Sequence, residues 1–454
     1  MEKWSGGYAF VKIFVYYTFW LSHKRIVVLG KENIPKNKPI IFTPNHQNAL
    51  MDPLAVLLTN HTQPVWLARA DIFKLKLTRP ILRFLKIVPV YRIRDGKKSL
   101  QNNEETFDLS VRVLENKQAL ALFPEAAHTG KRQMISHKKA VPRIAFLAEE
   151  KSNFELGVQI VPVGIYYSHY WKFNRSVIVN YGKPISVAGY RETFLENEQL
   201  ATLSLRDDIY HALEPLTLNI HSHEFYDAYE EMRKLAGCRY AKNKLLNNDQ
   251  FVNRFLSDKE LVEKLEAFEK QDRNTFQNIV EEINIYCNAK KELHLGEEPI
   301  KKTRSFETLI VFAKLIGAFI SIPFFLPGVV FNGLQFILAR KIISKKIKDP
   351  IFKGSFNLVV GMVFFPLVYL LFAIALGVYT KSFFMAIFFF LLMPLLGKLS
   401  FQLYEFYRQV CRQIKLAALK LVKSKKLTEL YRLRKELEDK IIDAAENNSV
   451  IFEA

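Results

Sequence analysis

Two patterns of apolar residues divide the chain. Up to about residue 218, short runs rich in β-branched residues alternate with longer segments of helical spacing. The short runs predict strands at residues 26–29, 39–43, 64–68, 87–91, 119–123, 159–166 and 177–181. Helices are predicted between them, at residues 54–58, 79–85, 99–116 and 140–150. Several strands are apolar without a break, and such strands are usually covered on both faces. The pattern therefore predicts an α/β fold, with a mixed, mostly parallel sheet sandwiched by helices.

The remaining residues follow other patterns. Residues 221–298 are charged and predict helices at residues 224–235, 258–270 and 274–291. Residues 355–379 form an uncharged run of 25 residues, long enough to span a membrane, and residues 383–396 follow after a polar break. Residues 308–339 are apolar but interrupted by Pro323, Pro327 and Gly328, and each half is too short to cross a bilayer upright. That segment predicts a hairpin dipping in from one side or a kinked spanning helix, and residues 401–445 predict one long basic amphipathic helix.

These patterns divide the chain into five parts. Residues 1–25 contain an apolar stretch interrupted by Lys12, which predicts a short amphipathic helix on the bilayer surface or, alternatively, a core helix. Residues 26–220 form the α/β domain, and residues 221–300 a helical insertion or linker unit. Residues 301–400 hold the membrane hairpin and transmembrane helices, and residues 401–454 the basic amphipathic helix.

The charge of the chain favours anionic partners. The net charge is +20 and the pI is about 9.6, which suits nucleic acid, anionic lipid or phosphorylated substrates. Two basic stretches, residues 340–353 and 398–426, flank the apolar segments. Lipid headgroups are therefore a simpler partner than nucleic acid, and the positive-inside rule predicts that both stretches are cytoplasmic. The three cysteines include no Cys-x-x-Cys pair, so neither a disulfide framework nor a zinc site is expected.

One loop carries candidate catalytic residues. His46 follows the predicted strand 39–43, and Asp52-Pro53 precedes a helical run. Asp52 is the predicted N-cap and Pro53 the first helical residue, because Asp accepts bonds from free amides and Pro has no amide to satisfy. A histidine held by a nearby carboxylate can take a proton from a hydroxyl group. The alternative is a solvated loop before a capped helix.

Two further polar loops follow predicted strands. Sites in open α/β sheets lie at the carboxyl ends of strands. After residues 87–90 come Arg92 and Arg94, whose guanidinium groups suit a phosphate. After residues 119–122 come Phe123-Pro124-Glu125 and, beyond them, His128. The alternatives are a solvated edge strand for the first loop and a polar turn for the second.

Taken together, these loops resemble a known family. The chain has the four sequence blocks of the glycerolipid acyltransferases, in order and rough spacing: Asn45-His46 with Asp52, Val88-Pro89-Val90-Tyr91-Arg92, Phe123-Pro124-Glu125 and Ile160-Val161-Pro162-Val163. The resemblance covers about residues 26–181. It implies that His46 acts as general base and that Asp52 orients it.

The resemblance also implies an acceptor site. Arg92 would bind the acceptor phosphate, and Glu125 would shape the site. The other substrate-binding residues expected from the blocks, and from the basic position just beyond them, are Asn45, Phe123, Pro124 and Lys138 or Lys139. The block around Pro162 is associated with the acyl donor.

The sequence departs from the family pattern at two positions, which affects the expected acceptor and the expected turn of the third block. Five residues separate His46 from Asp52 where four are commonest, as in some glycerol-3-phosphate acyltransferases. Ala126 stands where Gly is usual, and a positive φ there would carry a strain of roughly 1 kcal/mol. His128 is expected to be an exposed loop residue, with a second site histidine as the alternative.

The expected function is acyl transfer from acyl-CoA or acyl-carrier protein to a phosphorylated glycerol acceptor. Lysophosphatidate is the first expected acceptor, glycerol-3-phosphate the second and another lysophospholipid the third. Membrane lipid is an expected partner, the catalytic domain is expected on the cytoplasmic face, and neither a cofactor nor a metal is expected. The alternatives are a non-catalytic membrane scaffold and a nucleic-acid binder, the latter suggested by charge alone.

Overall fold

A computed structural model describes residues 3–74, 76, 78–91, 97–295, 307–347, 349–422 and 424–446. The chain divides into two compact units. The first comprises Met1–Thr217 and Ala339–Val363, and the second comprises Leu218–Leu338 and Phe364–Ala454. A C-terminal segment therefore belongs to the same unit as the N-terminal α/β fold.

The first unit is built on an eight-stranded sheet with the order β1-β7-β6-β2-β5-β3-β4, and β8 pairs with β6. All neighbouring pairs are parallel except β6 with β7 and β6 with β8. This confirms the mixed, mostly parallel sheet and all seven predicted strands. The strands are β1 His23–Leu29, β2 Ile40–Pro44, β3 Val65–Arg69, β4 Ile87–Val90, β5 Ala119–Ala121, β6 Gln159–Tyr167, β7 Arg175–Tyr181 and β8 Ile185–Ser186.

Helices cover both faces of this sheet. Within β2, Ile40 and Phe42 join the apolar core on one face and Ile41 joins the core on the other, as the alternation of a strand requires. All nine residues of β6 are buried, which explains its unbroken apolar sequence. The helices of this part are α1 Gly6–Ser22, α2 Met51–Thr59, α3 Thr78–Phe84, α4 Lys97–Glu115, α5 Ala140–Lys151, α6 Arg191–Glu196 and α7 Glu198–Leu213.

Helix α1 uses its charged residue to cap another element. Lys12 Nζ donates hydrogen bonds to the carbonyl oxygens of Asn60 and Thr62, both at 2.8 Å, just beyond the end of α2. Phe19 of α1 is fully buried, whereas Phe10 is 75% exposed. The helix therefore packs on the α/β core along one side and leaves aromatic residues on the other.

Beyond α7, the described residues are mostly helical. The three helices predicted in residues 221–298 are present, each longer than expected. The helices are α8 Tyr226–Asn243, α9 Gln250–Gln271, α10 Arg273–Glu292, α11 Glu307–Ile320, α12 Ile322–Lys346, α13 Pro350–Thr380, α14 Phe383–Leu421 and α15 Lys425–Glu446.

Two predictions about these helices are wrong. Residues 401–445 are not one helix, because α14 ends at Leu421 and Ser424 caps α15 by accepting a hydrogen bond from the Leu427 amide. The apolar segment 308–339 breaks at Ser321 and not at its prolines. Pro323 falls in the first turn of α12, where a helix needs no amide hydrogen from it. The portion after the break is consequently long enough to cross a bilayer.

Within the described part of the chain, three helical segments are long and apolar enough to span a membrane: Ile322–Ile343, Ile351–Thr380 and Phe383–Leu421. The second contains the uncharged run identified in the sequence. It ends at a turn in which Lys381 has a φ of 53°. Three such helices indicate that the protein associates with a membrane.

Candidate active site

The candidate site lies at the edge where parallel strands end. Strand β2 pairs in parallel with β5 on one side and β6 on the other, so the loops that follow β2 and β5 leave the same edge of the sheet. The Leu122 amide donates to the Phe42 carbonyl at 3.2 Å, which holds the two departing segments together. The sheet topology therefore brings together residues that are about 80 positions apart.

The His46 and Asp52 side chains contact each other in the loop after β2. His46 Nδ1 lies 2.9 Å from Asp52 Oδ2, and the same oxygen accepts hydrogen bonds from the amides of Gln47 at 2.8 Å and Asn48 at 2.7 Å. Asp52 is 1% exposed, whereas the His46 side chain keeps 15% of its surface exposed. One edge of the imidazole is thus fixed while part of the ring stays accessible.

Asp52 is not the N-cap of α2, so that prediction is wrong. Leu50 occupies the cap position, and Asp52 and Pro53 are the second and third residues of the helix. A turn closed by the Met51 amide on the Asn48 carbonyl starts the helix earlier. The Asp52 carboxylate reaches back over the loop, where the positive end of the helix dipole also favours it.

The loop after β5 packs directly on His46. The Phe123 ring stacks on the imidazole with centroids 3.8 Å apart, and Glu125 Oε1 accepts a hydrogen bond from the His46 amide at 3.1 Å. Pro124 is buried, and its carbonyl accepts from the Lys138 amide at 2.8 Å, while the Lys138 side chain is exposed. The predicted residues of the first and third blocks therefore lie together.

Glu125 is a buried acid. It is 0% exposed, and Oε2 has no hydrogen bond within the described residues. The pKa of Glu125 is raised to about 8, mainly by burial and in part by the charge of Asp52, while hydrogen bonds from the backbone of His46 and Ile135 act to lower it. The carboxyl group of Glu125 therefore keeps its proton to a higher pH than an exposed glutamate.

Two features of the third block differ from a plain polar turn. Ala126 has a φ of 56°, so the strained conformation considered for this position is present. His128 is half-buried, with its ring centroid 5.1 Å from that of His46, so the expectation of an exposed residue is wrong. Burial lowers the pKa of His128, and the charge of Arg69 acts in the same direction.

Other predicted residues have different surroundings. The side-chain amide of Asn45 makes two hydrogen bonds with the backbone of Ile165. Its Oδ1 accepts from the Ile165 amide at 2.7 Å, and its Nδ2 donates to the Ile165 carbonyl at 3.2 Å. Asn45 thereby ties the start of the loop to β6, and its contact with substrate stays a prediction. Arg92 and Arg94 lie outside the described residues, which stop at Tyr91 and resume at residue 97.

The first turns of α13 form a part of the site that sequence reasoning missed. Ser355 Oγ accepts a hydrogen bond from the Leu50 amide at 3.1 Å, in the loop that carries His46. The Phe352 ring lies 5.1 Å from that of His128, edge to face. Ser355 and Leu50 are about 300 residues apart in sequence. The one sequence signal for a contact at this place was the Gly354-Ser355 pair at the start of an apolar run.

The described ranges contain no group of three or more His, Cys, Asp or Glu side chains that could hold a metal ion. The three cysteines are free. The chemistry available at this edge of the sheet is that of an imidazole, two carboxyl groups and a second histidine.

Two family models match the chain. The model described as "Acyltransferase" matches residues 25–166, which include the site. The model described as "Glycerol-3-phosphate acyltransferase 2 C-terminal domain" matches residues 240–449. Together they account for most of the sequence.

Curated relatives carry related names. The chain is 22% identical over 287 residues to "Glycerol-3-phosphate O-acyltransferase 1" of Saccharomyces cerevisiae, covering 59% of this chain and 36% of that protein. It is 24% identical over 207 residues to "1-acyl-sn-glycerol-3-phosphate acyltransferase" of Borreliella burgdorferi, covering 44% and 76%. The chain thus spans little more than a third of the yeast relative. A crystal structure of the lysophosphatidate acyltransferase PlsC from Thermotoga maritima is similar at 22% identity and a TM-score of 0.34, covering 46% of this chain and 78% of that one.

The buried acid gives a pH-dependent stability. Between about pH 4.5 and 8 the folded chain holds a proton on Glu125 that the unfolded chain has released, so this group lowers stability as the pH rises. Glu125→Gln cannot ionise and keeps an oxygen for the His46 amide. Its free energy of unfolding relative to wild type is expected to rise across this window by up to about 1.4 kcal/mol per pH unit.

Denaturant unfolding of the detergent-solubilised protein at pH 6 and pH 8.5 measures this difference. Glu150→Gln, at an exposed position on α5, is the matched control and should show no such trend. Parallel pH dependence of wild type and Glu125→Gln would contradict the assignment of a buried, protonated Glu125.

Proposed function

Because this chain belongs to the glycerolipid acyltransferase family, we propose that it transfers a fatty acyl group from a thioester to a hydroxyl group of a phosphorylated glycerol acceptor. The observation that carries the proposal is the 2.9 Å contact between His46 Nδ1 and a buried Asp52 carboxylate. That contact fits a general base, because it holds the proton on Nδ1 and leaves a lone pair on Nε2.

The proposed reaction uses that lone pair. His46 Nε2 takes the proton of the acceptor hydroxyl as the hydroxyl oxygen bonds to the thioester carbonyl carbon. When the carbon–sulfur bond breaks, the proton passes from Nε2 to the departing thiolate. Asp52 stays ionised and compensates the imidazolium formed between these steps. The products are an ester and a free thiol, and no further cofactor is needed.

We propose glycerol-3-phosphate as the first acceptor, which reverses the order expected from the sequence alone. The five-residue spacing between His46 and Asp52 supports it, as do the C-terminal family model over residues 240–449 and the name of the yeast relative. Lysophosphatidate is the second candidate, supported by the relative from Borreliella burgdorferi, of which the match covers 76%.

The acceptor phosphate is proposed to bind Arg92, with Lys138 as a further basic residue near the site. A guanidinium binds a phosphate through two parallel hydrogen bonds, which orients as well as holds the acceptor. The acceptor is proposed to lie against the third block, residues Phe123, Pro124 and Glu125. Two of these, Phe123 and Glu125, contact His46 directly.

We also propose that the catalytic unit faces the cytoplasm. The basic stretches at residues 340–353 and 398–426 flank the apolar helices, and cytoplasmic flanks carry most Lys and Arg. The acyl donor would then be a cytoplasmic thioester, either acyl-CoA or acyl-carrier protein.

Replacing the proposed base tests the function. Purified full-length protein in lipid nanodiscs, given acyl-CoA or acyl-carrier protein, is expected to acylate glycerol-3-phosphate in preference to lysophosphatidate and unphosphorylated glycerol. His46→Ala is expected to lower kcat about 100-fold or more, because general bases contribute on that scale.

His61→Ala, at an exposed position after α2, is the matched control and should keep full activity. Mass spectrometry of the lipid formed identifies the acceptor. Full activity in His46→Ala would remove the mechanism, and no acyl transfer by wild type to any acceptor of the panel would remove the function.

The proposed phosphate ligand predicts a different kinetic effect. Arg92→Ala is expected to raise the KM for the phosphorylated acceptor about tenfold or more and to leave the KM for the donor unchanged, since a ground-state contact is lost. Arg143→Ala, at an exposed position on α5, serves as the control. A change confined to the donor KM would contradict the role given to Arg92.

A further inference from the structure

A second imidazole lies beside the proposed base. His128, in the loop after β5, has its ring centroid 5.1 Å from that of His46, and the two ring planes are 67° apart. Its side chain is half-buried and makes no hydrogen bond with any residue that the structure describes. No carboxylate holds its ring in the way that Asp52 holds His46, so the two histidines are suited to different tasks.

The loop is fixed on both sides of His128. On one side, the Ala126 amide closes a turn by donating to the Phe123 carbonyl at 3.1 Å. On the other side, Gly130 has a φ of 68° and packs closely on α13, since an added Cβ would come within 2.6 Å of the Ile351 side chain. The histidine is therefore carried by a segment with a defined backbone conformation.

The first turn of α13 also packs on the His128 ring itself. The Phe352 and His128 rings meet edge to face, with centroids 5.1 Å apart and planes at 89°. His128 lies in the region matched by the "Acyltransferase" model and Phe352 in the region matched by the C-terminal model, and both residues belong to the first compact unit. The ring thus contacts the proposed base and a helix contributed by the C-terminal part of the sequence.

The proposed reaction needs a hydrogen-bond donor for the thioester carbonyl oxygen, because negative charge develops on that oxygen when the hydroxyl group adds to the carbon. A hydroxyl group bound to His46 must lie about 3–3.5 Å from the carbon that it attacks, so the carbonyl oxygen comes close to a side chain packed beside that ring. Backbone amides often supply such donors, but five amides in the loop after β2 already donate within the protein: Asn45, His46, Gln47, Asn48 and Leu50.

The His128 imidazole is suited to this task as a neutral group. Burial lowers the pKa of His128, and the charge of Arg69 acts in the same direction, while the charges of Asp52 and Asp349 act to raise it. The net lowering leaves the ring neutral at pH 7, with one N–H donor. A neutral imidazole can polarise a carbonyl group without giving up its proton.

We propose that His128 is a catalytic residue whose ring N–H donates a hydrogen bond to the carbonyl oxygen of the acyl donor. The inference rests on the proposed function. His46 takes the hydroxyl proton as the new carbon–oxygen bond forms, and His128 stabilises the negative charge that the carbonyl oxygen gains. When the carbonyl group re-forms and the carbon–sulfur bond breaks, the proton passes from His46 to the thiolate. His128 keeps its own proton throughout.

Paired substitutions at position 128 separate hydrogen bonding from packing. His128→Phe keeps an aromatic ring against Phe352 but has no N–H, whereas His128→Asn and His128→Gln lose the ring and keep an N–H donor near the places of Nδ1 and Nε2. His128→Phe is expected to lower kcat about 100-fold and to leave both KM values within about twofold, because the lost contact exists only in the transition state. One of the two amide variants is expected to recover about tenfold or more of that loss.

Steady-state kinetics of the full chain in nanodiscs measure these effects, with glycerol-3-phosphate as acceptor and whichever of acyl-CoA and acyl-carrier protein the wild type uses. Thermal unfolding checks that each variant is folded. His61→Phe, the same change at an exposed position after α2, is the matched control and should keep full activity. If His128→Phe does not fold, His128→Leu also lacks a donor and is expected to show the same loss of kcat; full activity there overturns the inference equally.

A role in packing alone predicts the opposite order, with His128→Phe active and both amide variants impaired. That order, or a loss in His128→Phe that neither amide variant recovers, would overturn the inference. Wild-type protein without acyl transfer to any acceptor would instead overturn the proposed function. An inactive His46→Ala beside a fully active His128→Phe would overturn the role of His128 alone, so the two failures are distinguishable.

Discussion

Three hydrogen bonds converge on one buried oxygen, Asp52 Oδ2, and the rest of the site depends on them. Two come from the amides of Gln47 and Asn48, and one comes from the ring of His46. The amides fix the loop around the carboxylate, and the carboxylate fixes the imidazole. Hydrogen bonds to a carboxylate are shorter and stronger than those between neutral groups. The Asp52 side chain can therefore fix the backbone conformation of the loop that carries His46. The extra residue between His46 and Asp52 is accommodated because the pair spans a loop and the first turn of a helix, and not two turns of one helix.

Much of this arrangement could be predicted from the sequence. Unbroken apolar runs such as β6 identified the strands, because a strand buried on both faces has no polar alternation. The rule that sites lie at the carboxyl ends of strands then brought the loops after β2 and β5 together, and His46 does contact Phe123 and Glu125. The length of the uncharged run identified α13 as a candidate span. These features are local in sequence or follow from sheet topology.

The parts that were missed depend on contacts between distant segments. Nothing near Ser355 in the sequence indicates that its hydroxyl accepts a hydrogen bond from the Leu50 amide. Phe352 packs against His128 and helps to bury it, which requires the start of α13 to belong to the same compact unit as the α/β fold. The cap of α2 was misplaced because Asp52 bonds backward to the loop and to His46, a use of the side chain that outweighs a standard cap. The end of α14 at Leu421 was missed because the one serine that caps α15, Ser424, lies in a stretch whose other residues favour continuous helix.

If His46, held by Asp52, takes the proton of the acceptor hydroxyl, the bound acceptor must lie against the free nitrogen of the imidazole. A cryo-electron microscopy structure of the chain in nanodiscs, bound to glycerol-3-phosphate and an unreactive thioether analogue of the donor, would show where the acceptor lies. We expect an acceptor hydroxyl about 2.6–3.2 Å from His46 Nε2, on the side of the ring away from Asp52, with the analogue carbon next to that hydroxyl. An acceptor bound elsewhere, or an imidazole turned so that Nε2 faces Asp52, would rule out His46 as the base.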